Sequence, residues 1–426
     1  MNFLGEVLST VTIRQSSITF FGALINGALG ALFYIILART LGPDDFGRLA
    51  ISVAVLTLIT DIANLGTDTS LVKFVGQYLK DEKLIAYRFL KLILKLRLIS
   101  GITMILLSFI LAPIMAKSFF QKEELTGPLE LAFWGVAGAQ LLAFALSYFQ
   151  ALQRFWSWSL IQIGTNSFRL LVVCGLLIWL RLNLSSALSI YVVAPLLGFF
   201  VSLLFLPLDF LKVKNEKEVG PSLLNYSKWV SLSVMVTALS SRLDTFIAGR
   251  LLSPSEVGFY AAASLLCVIV PQIMRSLDTV IAPKMARLKS VGELKIFLIK
   301  TQLLTLCLFL LGLLVSPLVL ILIPLIFGSA YATSVPLLFM ILLIANLIFL
   351  ISVPIHSAIN YFFGYPRLFT YTSFLHLIVT ALLGWWLISI LGATGAALTV
   401  LIGMSLNFLI PAFWITFKLK QTVNGE

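Results

Sequence analysis

Apolar residues run through this chain in long stretches rather than in the alternating pattern of a half-buried strand. Twelve such stretches stand near 16 to 38, 47 to 66, 98 to 116, 129 to 151, 160 to 180, 186 to 208, 227 to 249, 257 to 281, 301 to 325, 335 to 360, 368 to 390 and 394 to 416. At about 20 to 25 residues each, they are long enough for a helix to cross roughly 30 Å of hydrocarbon. Strand-like alternation is absent, which argues against an outer-membrane barrel. The pattern predicts an all-α integral membrane protein with about 12 transmembrane helices. The first apolar run lacks a basic leader followed by an A-x-A-like site, so the first helix is expected to stay in the mature protein.

Composition agrees. The 426 residues are 60% hydrophobic and 11% charged, more apolar surface than a soluble core could hide. With the N-terminus inside, 22 of the 30 Lys and Arg residues fall on the cytoplasmic side, among them Lys73, Lys91, Lys95, Arg97, Lys212, Lys284 and Lys300. Arg39, Arg48, Lys117, Lys122, Arg181 and Arg250 fall outside, and Arg169 and Arg242 lie within spans. This bias predicts both termini in the cytoplasm. The net charge of +12 sits in loops that flank membrane helices, so it points to anionic lipid headgroups and not to nucleic acid. Cys174, Cys267 and Cys307 stand singly in apolar runs and read as small hydrophobes, with no metal and no disulfide expected.

One short turn is written twice. ARTLGPDDFGRLA at residues 38 to 50 returns as GRLLSPSEVGFYA at 249 to 261. An offset of 211 aligns Arg39 with Arg250, Leu41 with Leu252, Pro43 with Pro254, Gly47 with Gly258, and Lys73 with Lys284. The chain therefore reads as a duplicated six-helix unit. An even number of spans separates the copies, so they are parallel repeats. The expected organisation is an N-terminal bundle over 1–208, a polar cytoplasmic linker over 209–222, and a C-terminal bundle over 223–426. The turn itself has a plain structural reading, with Pro in the first helical turn and an acid near the helix N-terminus. Arg39 and Arg250 either snorkel to headgroups or line an outer cavity mouth.

LARTLGPDDFGRLA after the first span, LGTDTSLVKFVGQY closing the second, and LGATGAALTVLI opening the last carry a resemblance. They are similar to the Wzx-type oligosaccharide flippases of the multidrug/oligosaccharidyl-lipid/polysaccharide (MOP) superfamily. The resemblance implies a MATE-like pair of six-helix bundles in the cytoplasmic membrane. It also implies translocation of a polyprenyl-pyrophosphate-linked oligosaccharide by alternating access, for surface polysaccharide biosynthesis. The implied partners are that lipid-linked substrate, membrane lipids, and a polysaccharide polymerase or glycosyltransferases.

The residues themselves show no G-x-x-x-x-G-K-[ST], H-E-x-x-H or G-x-S-x-G, so neither ATP hydrolysis nor other enzyme chemistry is expected and no cofactor is implied. What remain are polar residues inside spans, where a charge costs roughly 2.5 to 3.5 kcal/mol at the membrane centre and must face protein or water. Gln162, Asn166 and Arg169 stand at i, i+4 and i+7 and form one polar face of the fifth span. Gln140, Ser147, Gln150 and Arg154 form a similar face of the fourth, and Ser233, Thr237, Ser241 and Asp244 one of the seventh. Arg242 turns away from Asp244, so its partner is a substrate phosphate or an acid such as Asp61 or Asp278.

These faces either line a cavity or hold helices together by hydrogen bonds. As a substrate site for the diphosphate the sequence offers Arg169, Arg242, Asn166, Gln162, Arg39 and Arg250. Arginine suits this, since its planar fork meets phosphate oxygens two at a time and stays charged. Asp61, Asp244 and Asp278 are candidates for ion coupling or gating, while His356 and His376 read as packing residues. Rival functions are a multidrug and toxin exporter coupled to an ion gradient, a lipid II flippase, and a non-transporting scaffold.

Overall fold

The computed structural model describes residues 11–179 and 181–423. Both chain ends, which the sequence places in the cytoplasm, lie outside the described residues. The helices are α1 (Val11–Ala63), α2 (Thr67–Tyr78), α3 (Lys83–Ile114), α4 (Thr126–Ala151), α5 (Phe155–Ile178), α6 (Leu184–Leu203), α7 (Gly220–Ser240), α8 (Leu243–Leu251), α9 (Pro254–Leu266), α10 (Ile269–Met285), α11 (Val291–Phe327), α12 (Val335–Ser357), α13 (Arg367–Leu391) and α14 (Ala393–Val423). No strand is present among the described residues. A spanning chain must satisfy its backbone groups within itself, and helices do so segment by segment.

Among the described residues ten helices are long and apolar enough to cross a membrane, or eleven when the bent pair formed by α7 and α8 is counted. The first of these is two helices joined at Gly42, where φ 75° and ψ 173° leave the helical region. The arrangement is thus consistent with the twelve stretches seen in the sequence, and the protein is a multi-pass membrane protein. Apolar content alone does not say which helices face lipid. Leu303, Leu310, Leu314 and Ile321 leave α11 largely exposed, whereas Leu338, Phe339, Leu342, Ala345, Leu350 and Ile355 bury much of α12.

The chain forms two compact units, one of Met1–Leu41 with Arg48–Arg242 and one of Gly42–Gly47 with Leu243–Glu426. The second unit thus takes in the turn Gly42–Gly47 and otherwise starts at Leu243, where 223 was expected, because α7 packs in the first. Gly66 lets α7 come close: a side chain there would stand 2.9 Å from the backbone nitrogen of Ser231 and 3.0 Å from the oxygen of Ser227. Beside it, the Ser70 and Ser227 hydroxyls are 2.8 Å apart, and Lys73 Nζ lies 3.8 Å from the Tyr226 ring centroid.

The polar segment after the sixth span is docked rather than free. Phe210 is buried in a cluster with Phe144 and Phe149, close to the stacked rings of Phe74 and Phe89, 4.3 Å apart. Arg88 Nη1 donates to Glu218 Oε2 at 2.6 Å, Lys91 Nζ donates to the Val213 carbonyl at 2.6 Å, and Lys95 Nζ lies 3.5 Å from Glu216. Basic residues of α3 thus hold this segment.

In the second unit the two copies of the repeated turn lie against each other. A side chain at Gly47 would reach 1.7 Å from the Pro254 carbonyl oxygen, and one at Gly258 would reach 2.0 Å from that of Pro43. Ser255 Oγ donates to Asp44 Oδ1 at 3.0 Å, a bond between residues that are themselves 211 apart. Ser253 also caps α9 reciprocally with Glu256, with Pro254 in the first turn. The turn is repeated because each copy needs a glycine where the other's backbone passes.

Candidate functional site

The first unit gathers several of the singled-out polar residues around α5. Gln162, Asn166 and Arg169 share a face, and that face meets Asn26 of α1. Asn166 Nδ2 donates to Asn26 Oδ1 at 2.7 Å, and Asn26 Nδ2 donates to Gln162 Oε1 at 3.5 Å. Arg169 Nη1 donates to Asn166 Oδ1 at 3.2 Å, and its guanidinium carbon stands 4.4 Å from the ring centroid of Tyr191 on α6. The Tyr191 hydroxyl in turn donates to that of Tyr34 on α1.

No carboxylate pairs with Arg169 among the described residues, and its Nε is buried without a hydrogen bond. Stacking on an aromatic face offsets only about 0.5 to 2 kcal/mol of the cost of a half-buried cation. The arrangement therefore retains an attraction for an anion, with amide groups beside it that can bond hydroxyls or phosphate oxygens.

Arg242 occupies the break between α7 and α8, where the two helices bend by 44°. It is exposed and close enough to Asp61 and Tyr191 to act on both electrostatically. Arg39 and Arg250 stand beside the two copies of the turn, near the ends of their helices. Asp244, in the first turn of α8, accepts a hydrogen bond from the Tyr260 hydroxyl. Asp278 on α10 accepts one from Ser357 Oγ at 2.7 Å. The structure thus brings Gln162, Asn166, Arg169, Arg242 and Asp61 into one unit and keeps Asp244 and Asp278 in the other.

Of the other two polar faces, one is interrupted and one takes the second of its two expected roles. The stripe Ser233, Thr237, Ser241 and Asp244 is not continuous, because α7 ends at Ser240 and the chain bends. The Thr237 and Ser241 hydroxyls instead bond to the carbonyls of Ser233 and Ala238, as hydroxyls in helices do. The fourth-span face holds helices together at Gln140 and Ser147. Gln140 Nε2 donates to Ser100 Oγ at 3.4 Å, the Gln140 backbone carbonyl accepts from Arg97 Nη1 at 2.6 Å, and Ser147 Oγ donates to Asp68 Oδ1 at 2.8 Å.

Sequence reasoning missed what those two residues serve. Arg97, counted as a cytoplasmic loop residue, is inside α3, only 2% exposed, and ion-paired with Asp68 at the start of α2. Its Nη2 also donates to Thr67 Oγ1 at 3.0 Å, and Asn64 Nδ2 donates to Asp68. α3 begins at Lys83, well before its apolar stretch, and one face of that extension points inward. Asn26, Tyr34 and Tyr191 were also missed; Asn26, an amide in the first apolar run, was the one visible signal.

The profile of the family described as polysaccharide biosynthesis protein matches residues 13–289, more than half of the chain. No curated protein matches the sequence. Among solved structures, the fold is similar to that of the lipid II flippase MurJ in an inward closed conformation, with a TM-score of 0.76 at 14% identity over 95% of this chain and 87% of that one. It is also similar to an inward-facing multidrug resistance MATE family transporter of the MOP superfamily, with a TM-score of 0.71 at 13% identity over 93% and 95% of the two chains. A third, a MOP superfamily transporter from Pyrococcus furiosus, for which reverse polarity of the binding pocket suggests a different function, has a TM-score of 0.59 at 14% identity over 96% and 95%. The fold is that of the MOP superfamily transporters, and by its sequence the chain belongs to the polysaccharide biosynthesis protein family.

Proposed function

We propose that this protein is a flippase that moves a polyprenyl-pyrophosphate-linked oligosaccharide across the cytoplasmic membrane by alternating access, with both termini in the cytoplasm. The observation that carries the reading is Arg169, a cation within a membrane helix that has an aromatic and an amide for neighbours and, among the described residues, no paired acid. A diphosphate supplies the missing anion. Arg169 would meet its oxygens, and Arg242, at the break after α7, would add a second cation. Gln162, Asn166 and Asn26 offer amides to the first sugars, while the prenyl chain stays in lipid. Arg39 and Arg250, near the repeated turns, would meet the charged group on its way out. A polymerase or glycosyltransferases would receive the product.

An exporter of organic cations calls for acidic lining around its cargo, and the neighbours of Arg169 are neutral. The test is transfer of a fluorescent polyprenyl-diphosphate oligosaccharide between leaflets of proteoliposomes. Transfer well above protein-free vesicles, slowed in Arg169→Ala and Arg242→Ala, supports the reading. Absence of transfer together with ion-driven efflux of a cationic dye would falsify it.

A further inference from the structure

Arg169 is oriented from two sides, and neither side brings it a negative charge. On one side runs a row of amides. A guanidinium only donates hydrogen bonds, so its neighbour Asn166 has to turn Oδ1 toward it and Nδ2 away; that first link, from Arg169 Nη1, is 3.2 Å. Asn166 Nδ2 then donates to Asn26 Oδ1 on α1 at 2.7 Å, which leaves Asn26 Nδ2 to donate to Gln162 Oε1 at 3.5 Å. The three links run in one sense, from α5 to α1 and back to α5, and the arginine sets that sense. The row ends on Gln162 Nε2, buried without a hydrogen-bond partner among the described residues, as is Arg169 Nε at its start. Each amide oxygen already accepts within the row, while N–H groups are left over at both ends.

On the other side lies an aromatic base. The Tyr191 ring on α6 has its centroid 4.4 Å from the guanidinium carbon and is buried. Phe33 of α1, also buried, meets that ring at 5.5 Å between centroids and 67° between planes, and the Tyr191 hydroxyl donates to that of Tyr34. A ring enclosed in this way keeps its place, and a guanidinium laid against it keeps its plane.

An arginine is otherwise a long side chain that loses much rotamer freedom when it is held. Here one hydrogen bond fixes the direction of the charged group and one ring fixes its plane, and both partners are neutral. Aspartate has the shape of asparagine and would fix the direction as well, but it would cancel the charge.

We propose that Asn166 and Tyr191 are positioning residues for a phosphate-bearing anion held by Arg169, and that an amide at 166, where an acid would fit, is what makes the site select an anion. Their part in transport rests on the flippase reading; their hold on Arg169 does not. A row that merely joined α1 to α5 would survive the substitution Asn166→Asp. The acid accepts from Arg169, Asn26 turns its amide round to donate to the acid, and Gln162 Nε2 gains Asn26 Oδ1 as its acceptor. Every link is kept in the reverse sense and Arg169 acquires a counter-charge, so the protein should become more stable while its anion site closes. Joining helices and positioning a cation thus predict opposite effects on the ligand from one variant.

The test uses the full-length protein in detergent, with inorganic pyrophosphate as the probe, titration calorimetry for affinity and thermal unfolding for stability. Wild type is expected to bind and Arg169→Ala to lose binding. Asn166→Asp should bind about tenfold more weakly or worse, the scale of a lost hydrogen bond to a charged group, and should unfold at a higher temperature. Tyr191→Leu should weaken binding by about threefold or more, the scale of a stacked cation, and Tyr191→Phe, which keeps the ring, should restore it. A wild type that does not bind pyrophosphate, unchanged affinity in Asn166→Asp, or a lowered unfolding temperature in that variant overturns the proposal. So does a Tyr191→Phe protein as weak as Tyr191→Leu, which would assign the effect to the Tyr34 hydrogen bond. Transfer of lipid-linked glycan is measured separately in proteoliposomes. The expected order of affinities in a protein that moves no such glycan would leave the positioned cation standing and remove the flippase reading instead.

Discussion

The ion pair of Asp68 and Arg97 is unequally buried, and this makes its two halves unequally costly to remove. The Arg97 side chain is 2% exposed and the Asp68 side chain 37%. Asp68→Asn leaves a guanidinium without its anion in the interior, held by the Gln140 carbonyl, by Thr67 and by the Phe144 ring 5.9 Å away. Stranding a buried charge costs about 3 to 5 kcal/mol. Arg97→Met removes the cation, fills part of its volume, and leaves a carboxylate that is less enclosed than the guanidinium and still accepts from Ser147 and Asn64. That loss should be nearer about 1 to 3 kcal/mol, the range for an unsatisfied polar group. The double variant should cost less than the two singles together, since each single already removes the shared interaction. Thermal unfolding midpoints of the four proteins in detergent give the order: wild type highest, Arg97→Met next, Asp68→Asn lowest. An Arg97→Met protein less stable than Asp68→Asn, or strictly additive losses, would show that the burial argument is wrong.

Gly47→Ala and Gly258→Ala each drive a methyl group into the backbone of the opposite turn and should lower stability by about 1 to 3 kcal/mol or more, while Gly164→Ala, which meets nothing within 4 Å, should not; unfolding midpoints decide it. Arg169→Lys should slow lipid transfer nearly as much as Arg169→Ala, because a point charge neither stacks on Tyr191 nor forks to two phosphate oxygens; transfer rates in proteoliposomes check it. In the docked segment, Glu216 is held below the usual glutamate range by its own backbone N–H, Lys91 and Lys95. A group whose pKa is lowered on folding stabilises at higher pH and loses that contribution as pH falls through the lowered value. Hydrogen-exchange protection factors over residues 208–219 should therefore be flat near neutrality and fall only in acid below the ordinary glutamate range, and Glu216→Gln should remove that fall.

Length and periodicity determined the membrane helices, their approximate number and the duplication, because a helix in lipid has to be long and apolar and a repeated turn keeps its proline and glycine. The i, i+4, i+7 spacing of Gln162, Asn166 and Arg169 likewise placed three polar groups on one face, a property of a single helix. What a sequence stretch does not contain is its neighbour. Arg97 reads as one more loop cation until α3 is seen to begin at Lys83 and turn that residue inward onto Asp68. The seventh-span stripe reads as one face until the chain bends after Ser240. α11 and α12 are equally apolar on paper, and only packing says which of them meets lipid. The repeat predicted that Gly47 and Gly258 are equivalent, but tertiary structure alone showed each glycine admitting the other turn's backbone. The same holds for two aspartates that each accept from a serine: α3 brings a guanidinium to Asp68, and among the described residues no salt bridge reaches Asp278.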